Sequence, residues 1–180
     1  MTFTTHIPAL ADLTPIAYLD QAGQVNEQFQ GKVGVYAIFD QTQTLQFIGY
    51  SRDIYLSLQQ HLVRRPQACH WFKVQTSDRP NRTVLEAIRD AWITENGVTP
   101  VGNGEEQTLW NQPIDAKLTM TEEEQAEYQA ADEVTQIKLL KRVARRVEEQ
   151  VLAQLQERGV QMAIRFNPKL KEAGLLDLKI

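Results

Sequence analysis

Between residues 34 and 103 the sequence gathers side chains able to move protons, hold a cation or touch a phosphate. They are Tyr36 in "GVYAIFD", His61 in "LSLQQHL", Glu86 in "VLEAIRD" and Asn103 in "PVGN", together with the cations Arg52, Arg64, Arg65, Lys73 and Arg82. A phenol and an imidazole exchange protons, a carboxylate binds a hard divalent ion, and guanidinium groups match phosphate oxygens. The five cations form a basic face suited to DNA or RNA, whose affinity for such a face falls steeply with salt. Each residue also has a plainer reading. Tyr36 suits an ordinary strand aromatic, and His61 beside Leu58 and Leu62 suits a histidine satisfied on a helix face. Glu86 lies between Arg82 at i−4 and Arg89 at i+3, where ion pairing competes with metal binding. Asn103 between two glycines suits a tight turn, and Arg64-Arg65 suits a solvated helix end.

The elements that must position these groups can be read from pattern. "KVGVYAIFD" alternates Val33, Val35, Ala37 and Phe39 against Tyr36 and Ile38, a period-two strand. "DQTQT" is a polar turn and "LQFIG" the returning strand of a hairpin. "SRDIYLSLQQHLVR" places Ile54, Leu58, His61 and Leu62 at helical spacing, with Ser51 as its N-cap and Pro66 ending it. "CHWFKVQT" reads as a third strand. "RPNRTVLEAIRDAWITENG" reads as a second helix, with Leu85, Ile88 and Trp92 inward and Gly97 at its C-terminus.

Around this core the chain divides into an N-terminal arm over 1–30, a small domain over 31–105, and an extension over 106–180. Residues 98 to 118 read as a loop. A capping box follows, either Thr119 with Glu122 or Thr121 with Glu124. Beyond it Val134, Ile137, Leu140, Ala144, Val147, Val151 and Leu155 form one apolar helical stripe. That stripe either packs on the small domain or receives a protein partner through residues 134–155. "VQMAIRF" is a candidate last strand, and "NPKLKEAG" a short helix capped by Asn167, Pro168 and Gly174. The fold class is α+β, a three-stranded antiparallel sheet flanked by helices with a mostly helical C-terminal extension.

Composition narrows the function. The 180 residues carry a net charge of −4 and are 42% hydrophobic, enough apolar content for a packed core. The charge is uneven: residues 93–133 hold ten acidic residues and one basic, while 134–180 hold ten basic and five acidic. The acidic block and the basic helix 138–146 can therefore pair within the chain. No run is long enough to cross a membrane, and the N-terminus has neither a basic start nor an apolar block, so the expectation is a cytoplasmic protein without membrane contact. Three scattered histidines and the single Cys69 give no zinc spacing, and Cys69 reads as a small buried hydrophobe.

The order and spacing of these pieces resemble the GIY-YIG endonuclease family. "GVY" at 34–36 stands for the first half of its signature and "FIG" at 47–49 for the second. The resemblance covers about residues 31 to 105. It looks closest to the plastid and cyanobacterial form of the domain, the one that precedes a glutaredoxin in plants. It implies a phosphodiesterase centre using Mg²⁺ or Mn²⁺, with Tyr36 and His61 handling the proton, Glu86 binding the metal and Asn103 supporting the site. Two groups depart from the family pattern. Phe47 stands at the second tyrosine and lacks the hydroxyl, and Ser57 stands where the phosphate-holding arginine belongs. A preorganised donor is worth about 10²–10³ in rate, and an arginine on a phosphoryl group about 10³–10⁵. Arg52 and Arg64 are the replacements to consider, Arg64 lying about 10 Å further along the same helical face. The expectation is a nuclease-like protein whose cleavage centre is degenerate and whose nucleic-acid binding is retained.

Overall fold

The computed structural model describes residues 6–180, so the first five residues of the expected arm lie outside it. Strand β1 (Ile16–Ala17) comes from the arm. Strands β2 (Val33–Phe39) and β3 (Leu45–Ser51) form the hairpin, and β4 (Trp71–Ser77) follows helix α1 (Ile54–Arg64). The sheet runs β1-β4-β2-β3 and is antiparallel throughout, leaving β3 as a free edge. The sequence pattern predicts three of these strands. β1 was missed because two residues are too few to display alternation.

The hairpin turn is built by Asp40, whose Oδ1 accepts from the backbone N–H of Thr42 and of Thr44 at 2.9 and 3.0 Å. Alternation along β2 sorts the side chains onto two cores. Tyr36 and Ile38 face α1, with Phe47 from β3, whereas Val35 and Ala37, with Ile48, face helix α2 (Arg82–Asn96) through Leu85, Ile88 and Trp92. Asn81 caps α2 by accepting from the Val84 N–H, and Gly97 ends it at φ +84, the left-handed turn that favours glycine. The N-cap of α1 is Asp53, not Ser51. Ser51 instead bonds the Asp53 backbone through its Oγ, accepting from the N–H at 3.0 Å and donating to the carbonyl at 2.8 Å.

The span expected as a loop at 98–118 holds a short helix α3 (Gln107–Asn111) and strand β5 (Ile114–Asp115). Helix α4 (Glu122–Ala130) opens with the capping box of Thr121 and Glu124. Extended backbone at Ala131 separates it from α5 (Glu133–Glu157). The inward face of α5 is Leu139, Leu140, Val143, Ala144, Val147, Val151 and Leu155, while Val134 is 63% exposed. All of the inward residues but Leu140 share one core with Tyr18, Phe29, Ile38, Leu58 and Phe72, so most of the stripe over 134–155 is buried within the chain. Acid and base also pair internally: Arg146 bonds both carboxylate oxygens of Glu124, and Arg142 reaches Glu127 at 3.0 Å. Residues 160–166 form no strand, only a bridge from Phe166 to Leu178. Helix α6 (Pro168–Lys171), capped by Asn167, leads to β6 (Leu175–Leu176), which pairs with β5. Among the described residues no helix is long and apolar enough to cross a membrane.

Candidate functional site

Tyr36 and His61 meet beneath the hairpin, the phenol hydroxyl 2.8 Å from Nε2 of the imidazole. Both are almost fully buried, at 3% and 4% exposure. Burial is the main reason that the His61 pKa falls to about 3, with the charge of Arg64 adding to it. The imidazole is therefore neutral. Its Nδ1 has no partner of good hydrogen-bond geometry, although the Trp110 backbone lies near enough to favour the proton a little. Burial likewise pushes the Tyr36 hydroxyl well above its usual range, against smaller opposing effects of Ser57 and Arg64. Gly49 makes this arrangement possible, because a Cβ there would come within 2.7 Å of the Tyr36 hydroxyl and 2.6 Å of the Phe47 ring.

Phe47 lies under an aromatic cover. The Trp110 ring from α3 stacks on it at 5.1 Å with planes 5° apart, and the same ring lies 5.4 Å from His61. Trp110 is fully buried, and Gly102 makes room for it, since a Cβ at 102 would sit 2.8 Å from the indole. A hydroxyl is thus absent at position 47, and the space above it is filled. Ser57, one turn before His61, donates to the Ser51 hydroxyl at 2.7 Å and places no cation in the site.

The basic residues divide sharply. Arg64 is only 8% exposed and grips Asp177 with two bonds, at 2.8 and 3.2 Å, while donating to the Trp110 carbonyl at 2.9 Å. Arg65 pairs with Glu106 at 3.0 Å, and Lys73 donates to the Leu10 carbonyl. These three cations are tied into the fold. Arg52 and Arg82 remain exposed and line one cleft of about 340 Å³ together with Tyr50.

Glu86 stands beside that cleft. Its Oε1 accepts from Arg82 Nε at 2.7 Å and from the Tyr50 hydroxyl at 2.9 Å. The Arg82 bond, then that of Tyr50, holds its carboxyl below the usual range. Among the described residues no three His, Cys, Asp or Glu side chains come together. This carboxylate is engaged as an ion pair, and a Mg²⁺ or Mn²⁺ ion, which takes one or two carboxylates and several waters, would compete with Arg82 and Tyr50 for it. Asn103 is committed too: its amide accepts from the Ile48 N–H at 2.8 Å and donates to the Ile48 carbonyl at 2.7 Å, pairing the free edge of β3 as a strand residue would.

A second cleft of about 320 Å³ opens along that edge, between β3, α2 and α3, and reaches Tyr36, Gly49, Tyr50 and Asn103. Arg89 and Gln107 also line it. Sequence reasoning gave Arg89 only as a partner for Glu86, and singled out neither Tyr50 nor Trp110. The signal for Tyr50 and Arg89 was available. Alternation from Ile48 and the i+3 step from Glu86 place both around the same carboxylate. For Trp110 no local signal exists.

No family model matches this chain. A local match, 39% identical over 74 residues, is found with the bifunctional monothiol glutaredoxin-S16, chloroplastic, of Arabidopsis thaliana. It covers 39% of this chain and 25% of that protein, so the chain spans about a quarter of the relative's length.

Proposed function

We propose that this chain is a GIY-YIG-type nuclease scaffold whose cleavage centre is closed, and that it binds nucleic acid rather than cutting it. The observation that carries this reading is the Trp110 ring stacked on Phe47. It covers Phe47 and the imidazole of His61, and both His61 and Tyr36 are left almost fully buried. Burial adds a chemical reason. An imidazole with a pKa near 3 is a poor base at neutral pH, and a phenol pushed upward is a poor source of phenolate. The "GVY" and "FIG" halves on β2 and β3, and the match to the plastid glutaredoxin, support the scaffold half of the proposal. Exposed Arg52 and Arg82 beside Tyr50, with Arg89 in the adjoining cleft, support the binding half.

Supercoiled-plasmid nicking with Mg²⁺ or Mn²⁺ tests the first half. Wild type and Ser57→Arg are both expected to be silent, because an arginine at 57 does not lift the indole off Phe47. Nicking by wild type that disappears in Glu86→Ala would sink the proposal and establish a living metal centre. Fluorescence anisotropy with labelled oligonucleotides at low and moderate salt tests the second half.

A further inference from the structure

The nuclease-like reading leaves a gap, since Ser57 supplies no cation and Arg64 is locked to Asp177. Arg89 offers a cation from a different helix. It lies on α2, one turn beyond Glu86, and its side chain is 30% exposed. Its guanidinium stands over the Tyr50 ring, 5.5 Å from the centroid. Among the described residues its hydrogen bond is from Nε to Asp90, at 2.9 Å. An aromatic plate beneath a guanidinium fixes its plane and leaves its outer N–H groups to a ligand. Arg89 lines the 320 Å³ cleft together with Gln107 of α3.

The strand edge supplies a second feature of the same site. Asn103 binds the outward-facing polar groups of Ile48. Alternation in an antiparallel pair turns the backbone of Tyr50, two residues on, toward the same free edge. A backbone N–H and a planar cation thus border one polar cleft, a combination that matches the oxygens of a phosphate ester.

We infer that Arg89, seated on Tyr50, is the residue that grips a phosphodiester in the β3-edge cleft and takes over the phosphate contact that α1 lacks. The inference rests on the nucleic-acid-binding reading, and one experiment separates their failures. Anisotropy is measured with a labelled 12-mer, single-stranded in one arm and duplex in the other, at several salt concentrations. The proteins are wild type, Arg89→Gln, Arg89→Lys and, as a control outside the cleft, Arg165→Gln. The expected result, in whichever arm wild type binds, is that Arg89→Gln weakens binding about tenfold or more and lowers the salt slope by about one. Arg89→Lys keeps the charge but loses the fork, so it falls between the two. Arg165→Gln stays at wild type. Wild-type affinity in Arg89→Gln, or an equal loss in Arg165→Gln, overturns the role of Arg89 while leaving the binding function standing. No binding by wild type in either arm overturns the binding function itself. Should Arg89→Gln fail to melt cooperatively, Arg89→Lys decides: unchanged affinity and slope reject the inference.

Discussion

His61 is held neutral by its surroundings, and this makes the stability of the protein depend on pH. Its pKa lies near 3 in the folded chain against an ordinary 6.5. Between those values the unfolded chain binds a proton that the native state refuses. The contribution is therefore fully present above pH 6.5 and is lost as pH falls toward 3, at no more than about 1.4 kcal/mol per pH unit. The carboxyls of Asp40, Glu86, Glu124 and Asp132 all titrate below their usual values. Their losses begin lower, near pH 4.5 and below, so the window from 6.5 to 5 belongs to histidine. Urea titrations are expected to show wild type losing about 2 kcal/mol across that window. His61→Gln should remove most of the slope, with a residue left by His70, which burial also lowers. An unchanged slope in His61→Gln would mean that the imidazole is protonated in the fold.

At the scale of elements, α3 decides what the site is. A five-residue helix contributes little stability of its own. It is held by Arg64 bonding the Trp110 carbonyl and by Arg65 pairing with Glu106 just ahead of it. Trp110→Ala would remove a fully buried indole and is expected to cost about 3–5 kcal/mol. It should also let water reach the imidazole, so the His61 pKa climbs toward its ordinary value. The imidazole C–H resonances, followed by NMR across pH 3 to 8, check this. A pKa that stays near 3 in Trp110→Ala would mean that burial by α1 and the sheet suffices, and that α3 is not the cover.

At the scale of the whole molecule, the extension is part of the fold that carries the site. Leu139, Val143 and Val147 of α5 belong to the same core as Ile38, Leu58 and Phe72 of the small domain. The tail then reaches back through Asp177 to clamp Arg64, 113 residues away. Asp177→Ala would leave a buried guanidinium with only the Trp110 carbonyl, and breaking a buried pair on one side costs about 3–5 kcal/mol. Thermal unfolding followed in the far and near ultraviolet should show one transition in wild type and a large downward shift in Asp177→Ala. A shift within the range of a surface ion pair, about 1 kcal/mol or less, would show that water reaches Arg64.

Much of this could be read along the chain because it is local. Alternation marked the hairpin, the Thr-x-x-Glu spacing offered two capping boxes of which Thr121 with Glu124 forms, and Gly97 marked a helix end. Position 47 lacks a hydroxyl and position 57 lacks a guanidinium by letter alone. The fate of the cations was not legible, because their partners are remote: Lys73 is held by Leu10 63 residues earlier, and Arg64 by Trp110 and Asp177, 46 and 113 residues later. Arg64 and Arg52 look alike in sequence, yet one is a buried strut and the other an exposed charge. The sequence by itself determined the hairpin, the helices α1, α2 and α5, and which groups positions 47 and 57 lack. Only the tertiary structure decided which arginines face solvent and that an indole covers Phe47 and the imidazole, since both depend on packing between segments with no local register.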